Sequence, residues 1–127
     1  MDQAYGKKIR ERLSNRIRLV DEFIPAHDLQ VYFNAADVVV LPFQAIENSG
    51  SVIMAMGFAR PIIAPRRGVV QERLHQQDEW LYDSHQELPD KMQFATQLPL
   101  GTLKAVGNRN FEALAQYAWT DFASLFL

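Results

Sequence analysis

The residues of this 127-residue chain that could do chemistry are few, because it contains no cysteine and three histidines, His27, His75 and His85. A disulfide scaffold, a thiolate zinc site and a cysteine nucleophile are thereby excluded together, and the histidines have no i, i+4 pairing of the kind a helical metal site uses. No metal is expected, and the histidines read as structural. Chemistry is left to carboxylates, hydroxyls and backbone groups. The most informative of these lie in Ser49-Gly50-Ser51, which opens an apolar helical pattern after a polar loop. A helix start presents unbonded backbone N–H groups and the positive end of the helix dipole, so it can hold a phosphate without any lysine. Gly50 would let phosphate oxygens approach the backbone, and the hydroxyls of Ser49 and Ser51 could add hydrogen bonds. The same residues also suit a plain helix start, with Asn48 or Ser49 as the cap and Gly50 as a turn residue. Glu47 and Glu72 could face one crevice and accept two hydroxyls of a ribose or sugar. Glu72 could instead cap a short helix and pair with Arg67 or Arg73. No G-x-S-x-G elbow, G-x-G-x-x-G fingerprint or Walker loop occurs.

Residues Tyr5 to Leu13 suit a short surface helix whose basic series, Lys7, Lys8, Arg10 and Arg12, is solvated. Arg16 to Phe23 carries a short strand pattern stopped by Pro25. His27-Asp28 then opens a helix with Leu29, Tyr32, Phe33 and Ala36 on one face and Asp28 as N-cap. Asp37 leads into VVVLPF, a β-branched run that fits a strand buried on both faces, as in parallel sheets. Gln44 to Asn48 reads as loop. The helix from Ser49, with Val52, Ile53 and Met56 on one face, must end before Pro61. PIIAP is a second buried strand held between two prolines. A polar loop at Arg66 to Gly68, a helical turn around Gln71 to Leu74 and a strand at Trp80 to Tyr82 follow. Helices then cover Leu88 to Leu98 and about Leu103 to Phe126, the latter from Phe111, Leu114, Ala115, Ala118, Phe122 and Leu125. Trp80, Trp119 and the phenylalanines read as core.

This rhythm predicts an α/β fold, a Rossmann-like parallel sheet with flanking helices. Ligands of such sheets bind beyond the carboxyl ends of the strands, here Phe23 to Ala26, Pro42 to Ser51 and Pro65 to Glu72. A composition 48% hydrophobic and 22% charged is that of a globular chain and excludes a disordered tail. No stretch approaches the roughly 18 apolar residues of a membrane span, and the charged N-terminus is not a signal peptide. A cytoplasmic location is expected, with the inner face of the membrane as the alternative. The net charge of −2 argues against nucleic acid as a partner and makes any anion site local.

The blocks AADVVVLPF, SGSVIMAM, RPIIAP and GVVQE, in that order and framed by RLVDEFIP and LYD, resemble the C-terminal, nucleotide-sugar-binding half of group 1 (family 4) GT-B glycosyltransferases. The resemblance runs from Ile17 to Tyr82. It implies retaining, metal-independent transfer of a hexose from a UDP- or GDP-sugar to a glycan or lipid acceptor, with no cofactor. On it, Ser49, Gly50 and Ser51 match the helix start that holds the donor diphosphate. Ile24, in Phe23-Ile24-Pro25, matches the loop near the base, and Gly68 and Glu72 match the ends of the G-x-x-x-E segment. The family's paired glutamates fall at Ile46 and Met54, with Glu47 one place from the first, so their roles do not carry over and Glu47 stands only as a nucleoside or sugar contact.

The resemblance also implies an incomplete domain. The whole chain, 1–127, would be one partial domain, with 1–107 the donor-binding part and 108–127 a helix packing on another domain. In the strand order 3-2-1-4-5-6, the strands that belong between Ile17–Val20 and Val38–Leu41 are missing. The sheet should then have a gap and an apolar edge that is exposed or covered by a partner chain or a second copy. The leading function is the terminal part of a glycosyltransferase donor domain in polysaccharide or glycoconjugate assembly, inactive alone. The alternative is a non-catalytic interaction or regulatory module that kept only the fold. A flavodoxin-like small-ligand domain ranks below both, since its phosphate loop follows the first strand.

Overall fold

A computed structural model describes residues 7–8, 11, 14–42, 49–74 and 77–124. Its centre is a parallel sheet of three short strands, β1 (Val39–Val40), β2 (Ile62–Pro65) and β3 (Leu81–Tyr82), in the order β1-β2-β3. Val39 and Val40 pair with Ile62 and Ile63, and Ala64 and Pro65 with Leu81 and Tyr82. Every residue of β2 is buried, as expected of a β-branched stretch with a strand on each side and helices on both faces.

Period-two alternation divides the strand side chains between two cores. Ile62, Ala64 and Leu81 pack with Val52, Ala55 and Met56 on one face; Ile63 and Tyr82 pack with Trp80, Ala95 and Leu103 on the other. The helices supplying these layers are α1 (Ala26–Ala35), α2 (Ser49–Gly57), α3 (Gly68–Arg73), α4 (Leu88–Thr96) and α5 (Leu100–Ser124). α2 ends as expected, well before Pro61.

α5 lies close to the turn after α2 because of two residues. Gly107 is where the helix meets that turn: a Cβ there would overlap the carbonyl oxygen of Ala59 and come within 2.7 Å of its carbon. One turn on, the wholly buried Asn110 donates to the carbonyl of Arg60 (2.9 Å) and accepts from Gln77 Nε2 (2.7 Å). α5 runs unbroken through 107 and 108, and Ala113 and Leu114 beyond them pack against the first core.

Several expectations are corrected. Ile17–Val20 is not a strand; it is irregular, with Ile17 exposed, because a strand needs a neighbour and none of the described residues supplies one. Asp28 is not the cap of α1. Pro25 is, its carbonyl accepting from the N–H groups of Asp28 (2.9 Å) and Leu29 (3.1 Å), with Asp28 inside the first turn. Proline pre-sets φ for a helix start, so the helix begins earlier than the acidic signal. α3 begins at Gly68, whose φ of 51° only glycine adopts cheaply, rather than near Gln71. Trp80 sits in a 3₁₀ turn before β3, and α5 starts three residues before Leu103. Trp80 is buried, but Phe23 is 89% and Phe111 49% exposed, so these two phenylalanines are not core. The loop 44–48 lies outside the described residues, as do His75, Leu125 and Phe126.

The entry into α4 is fixed by a capping box. Glu87 accepts from the N–H groups of Asp83 (2.9 Å) and Ser84 (2.7 Å), while Ser84 Oγ accepts from Gln86 N–H (3.3 Å). The two backbone hydrogen bonds, that from Ser84 first, hold the Glu87 carboxyl below its ordinary range.

Helix propensity alone would make either Gly→Ala change in α5 stabilising by up to about 1 kcal/mol. At Gly101, where an added Cβ meets nothing within 4 Å, Gly101→Ala should raise the denaturation midpoint. At Gly107 the clash with backbone reverses the sign, and Gly107→Ala should destabilise by about 1–3 kcal/mol in urea unfolding. Because the folded-state pKa of Glu87 is depressed, its stabilising contribution is present above the unfolded carboxylate pKa and is lost as pH falls through the folded value. Glu87→Ala should therefore lower the melting temperature at neutral pH, and the gap from the parent should close on acidification below about pH 4. A gap independent of pH would contradict this assignment.

Candidate functional site

β1, β2 and β3 run parallel, so the segments after them gather at one edge of the sheet, where ligands of open α/β sheets bind. The first of these segments leads into α2. Ser49, Gly50 and Ser51 form its first turn, and Val52, Ala55 and Met56 anchor it in the core with 1% exposure or less. Gly50 is exposed and a Cβ placed on it would meet nothing within 4 Å, so packing does not require a glycine there. The first turn contains no acidic side chain, which leaves the positive end of the helix dipole without a carboxylate of its own. Glu47 and Ile46 lie outside the described residues.

The second segment leads from β2 into α3. Arg67 takes the N-cap position in an extended conformation, and Gly68 turns the chain at positive φ so that the helix starts at once. Glu72 is exposed on this helix. α2 and α3 touch, and each begins beyond the carboxyl end of a strand of the parallel sheet.

Ile24 is placed elsewhere. It is half-buried before α1, in the wall of a groove of about 590 Å³ whose described walls come from residues 18–35, among them Arg18, Glu22, Phe23, Asp28 and Tyr32. Its described walls take nothing from β1, β2, α2 or α3.

A charged cluster at the ends of β2 and β3 gave little sequence signal. The N–H of Arg66 donates to the carbonyl of Tyr82 (2.8 Å), and its guanidinium donates to Asp78 and to Asp83 Oδ1 (3.3 Å). The hydrogen bond to Asp78 is the largest cause of an Arg66 pKa held above its ordinary value. Arg66 stands out in the sequence only as a loop cation; its two partners, twelve and seventeen residues on, follow no periodicity. Nearby, the Tyr82 hydroxyl is buried with no hydrogen-bond partner among the described residues, and burial raises its pKa.

His27 Nε2 lies 3.5 Å from Asp28 Oδ1 on an exposed surface, and the His85 ring packs against Tyr82 at 5.6 Å between centroids. Among the described residues no group of three His, Cys, Asp or Glu could hold a metal ion, and no helix is long and apolar enough to cross a membrane.

A GDP-mannose:glycolipid 4-beta-D-mannosyltransferase of Xanthomonas campestris pv. campestris is 35% identical to this chain over 54 residues, which is 42% of this chain and 14% of that protein. A second sequence of the same description, from a defined strain of that pathovar, aligns with the same figures, 35% over 54 residues. The aligned segment thus spans about one seventh of the relatives' length, 14%. No solved structure matches significantly. The family model described as glycosyl transferases group 1 matches residues 2–97, covering α1 through α4 and both helix starts at the ligand edge. With the parallel α/β sheet and flanking helices expected of that resemblance, this chain belongs to the group 1 glycosyltransferases.

Proposed function

We propose that the chain contributes the diphosphate-binding edge of a sugar-nucleotide glycosyltransferase that transfers a hexose to a glycan or lipid acceptor. The observation that carries this reading is the start of α2: a Ser49-Gly50-Ser51 first turn in which Gly50 is exposed with no packing demand on it and which holds no acidic residue, at the carboxyl edge of a parallel sheet. Backbone N–H groups there would neutralise the donor β-phosphate and then the leaving diphosphate, stabilising charge as it develops in the transition state. Gly68 and Glu72, on α3, are read as contacts for the sugar or nucleoside, with Glu47 as a further one; Ile24 lines a separate groove before α1. The mechanism uses no metal.

The relative named for GDP-mannose and a glycolipid favours a GDP-sugar over a UDP-sugar and a lipid-linked acceptor. Such chemistry suits polysaccharide or glycoconjugate assembly at the cytoplasmic face of a membrane. Retention of configuration belongs to the reading through the family likeness. The relative is named for a β-linked product, so the anomeric configuration made by a complete protein, read from the C1–H1 coupling, decides retention against inversion.

Donor binding is tested by titrating GDP-mannose, GDP and UDP against this chain by calorimetry. Saturable binding, tighter for the guanine nucleotides, is expected, and Gly50→Val should weaken it by on the order of tenfold, or about 1.4 kcal/mol, with an unchanged circular dichroism spectrum. Affinity equal in parent and variant would overturn the assignment of α2, and no binding at all would favour a fold kept only as an interaction module.

A further inference from the structure

Asn110 of α5 meets the turn that follows α2, at the opposite end of that helix from Ser49–Ser51. The turn is bonded to the helix itself. The N–H groups of Phe58, Ala59 and Arg60 donate to the carbonyls of Met54 (3.0 Å), Met56 (3.0 Å) and Ala55 (3.1 Å). The Arg60 carbonyl in turn accepts from Asn110 Nδ2 (2.9 Å), and the Ala59 carbonyl occupies the space that a Cβ on Gly107 would take. Moving the turn therefore moves the last turn of α2.

The side chain at 110 has the chemistry of an orienting group. At 0% exposure, an aliphatic side chain would fill the same place without desolvating an amide. The amide that stands there has both ends in use: Gln77 Nε2 donates to Oδ1 (2.7 Å), which turns Nδ2 toward the Arg60 carbonyl. A hydrogen bond fixes direction as well as distance, so it holds the carbonyl where apolar packing would let it slide. On the other side of the turn, the Arg60 guanidinium donates to the carbonyl of Ala36 (3.1 Å), so the turn is held from two directions.

From this end the constraint passes along α2. Val52, Ala55 and Met56 are exposed by 1% or less, and a hydrogen-bonded helix of nine residues moves as a rod, so a tilt at Gly57 reaches the first-turn N–H groups. Those donors have no partner within the helix and act along fixed directions. We propose that Asn110 is a positioning residue for diphosphate binding: through the Ala59–Arg60 turn it sets the direction of α2, and with it the aim of the N–H groups of Ser49, Gly50 and Ser51. This rests on the assignment of the α2 start to the donor diphosphate.

The test uses the whole chain and two measurements, the backbone amide NMR signals of Ser49, Gly50 and Ser51 without nucleotide, and GDP affinity by calorimetry. Asn110→Ala should shift those signals and weaken GDP by about threefold to tenfold, with an unchanged circular dichroism spectrum. Gly107→Ala, which pushes on the same turn at Ala59, should shift the same signals. Leu103→Ala, which removes packing from the second core on the same helix, should lower stability with neither effect. A variant that does not fold is rebuilt on Ala59→Gly, which accepts the φ of 55° without strain. Unchanged signals and affinity in the folded Asn110 and Gly107 variants, or an equal loss of affinity in Leu103→Ala, would overturn the proposal. A parent chain with no affinity for GDP overturns the assignment of the α2 start instead, and the amide signals then decide alone whether Asn110 directs α2.

Discussion

The close approach of α5 to the turn between α2 and β2 is the contact on which the other elements depend. Ala59 holds a φ of 55° there, a conformation that costs a non-glycine residue about 1–2 kcal/mol and persists only where surroundings enforce it. The enforcement is visible. Gly107 admits the Ala59 carbonyl, Asn110 caps the next carbonyl at Arg60, and the Arg60 guanidinium donates to the carbonyl of Ala36 (3.1 Å) at the exit of α1. One turn therefore links α1, α2, β2 and α5. Asn110 is a polar group with 0% exposure, and a partner lost there would leave buried groups unsatisfied at about 1–3 kcal/mol each. Gln77 completes the node with its amide nitrogen, while its Oε1 has no hydrogen-bond partner among the described residues.

The end of α2 held by this turn sets the direction of its start. α2 is nine residues long and buries Val52, Ala55 and Met56, so the axis is fixed from Gly57 back to Ser49 and the first-turn N–H groups are fixed with it. Electrostatic preorganisation of this kind is effective because the donors need no rearrangement when a charge arrives. The nearby Arg66 is committed elsewhere, drawn to Asp78 and Asp83, and pins the end of β2 to the segments around β3. The first turn of α2 carries no acidic side chain, so the positive end of the helix dipole is not neutralised from within the turn.

The parts of this arrangement set by short-range pattern were legible in the sequence. Two prolines around two isoleucines bounded β2, the apolar spacing of SGSVIMAMGF gave α2 and its buried face, and α4 and α5 followed from their periodicity. The parts set by distant partners were not. Nothing near Asn110 marks it as a core residue, because its partners stand 33 and 50 positions away and inside a helix it reads as surface. Asp28 carries a stronger cap signal than Pro25, yet the fixed φ of proline starts α1 first. Gly68 was noted for the ligand loop, and its positive φ also begins α3, a role that depends on the direction in which β2 delivers the chain.

Ile17–Val20 shows the same limit from the other side. Its alternation suits a strand as well as VVVLPF does, and α1 leads from it to β1 as the crossover of a βαβ unit would. Alternation states only which face a side chain takes once the backbone is paired; the hydrogen bonds must come from a neighbour. β1 has one in β2 and is a strand, whereas Ile17–Val20 has none among the described residues and stays irregular beside a groove, with Phe23 89% exposed. Tyr32 lines both that groove and the one against β1, so the Tyr32 face of α1 borders the open edge of β1 as well as the segment before α1. Among the described residues β1 therefore has β2 as its neighbour on one edge, with apolar surface flanking the other.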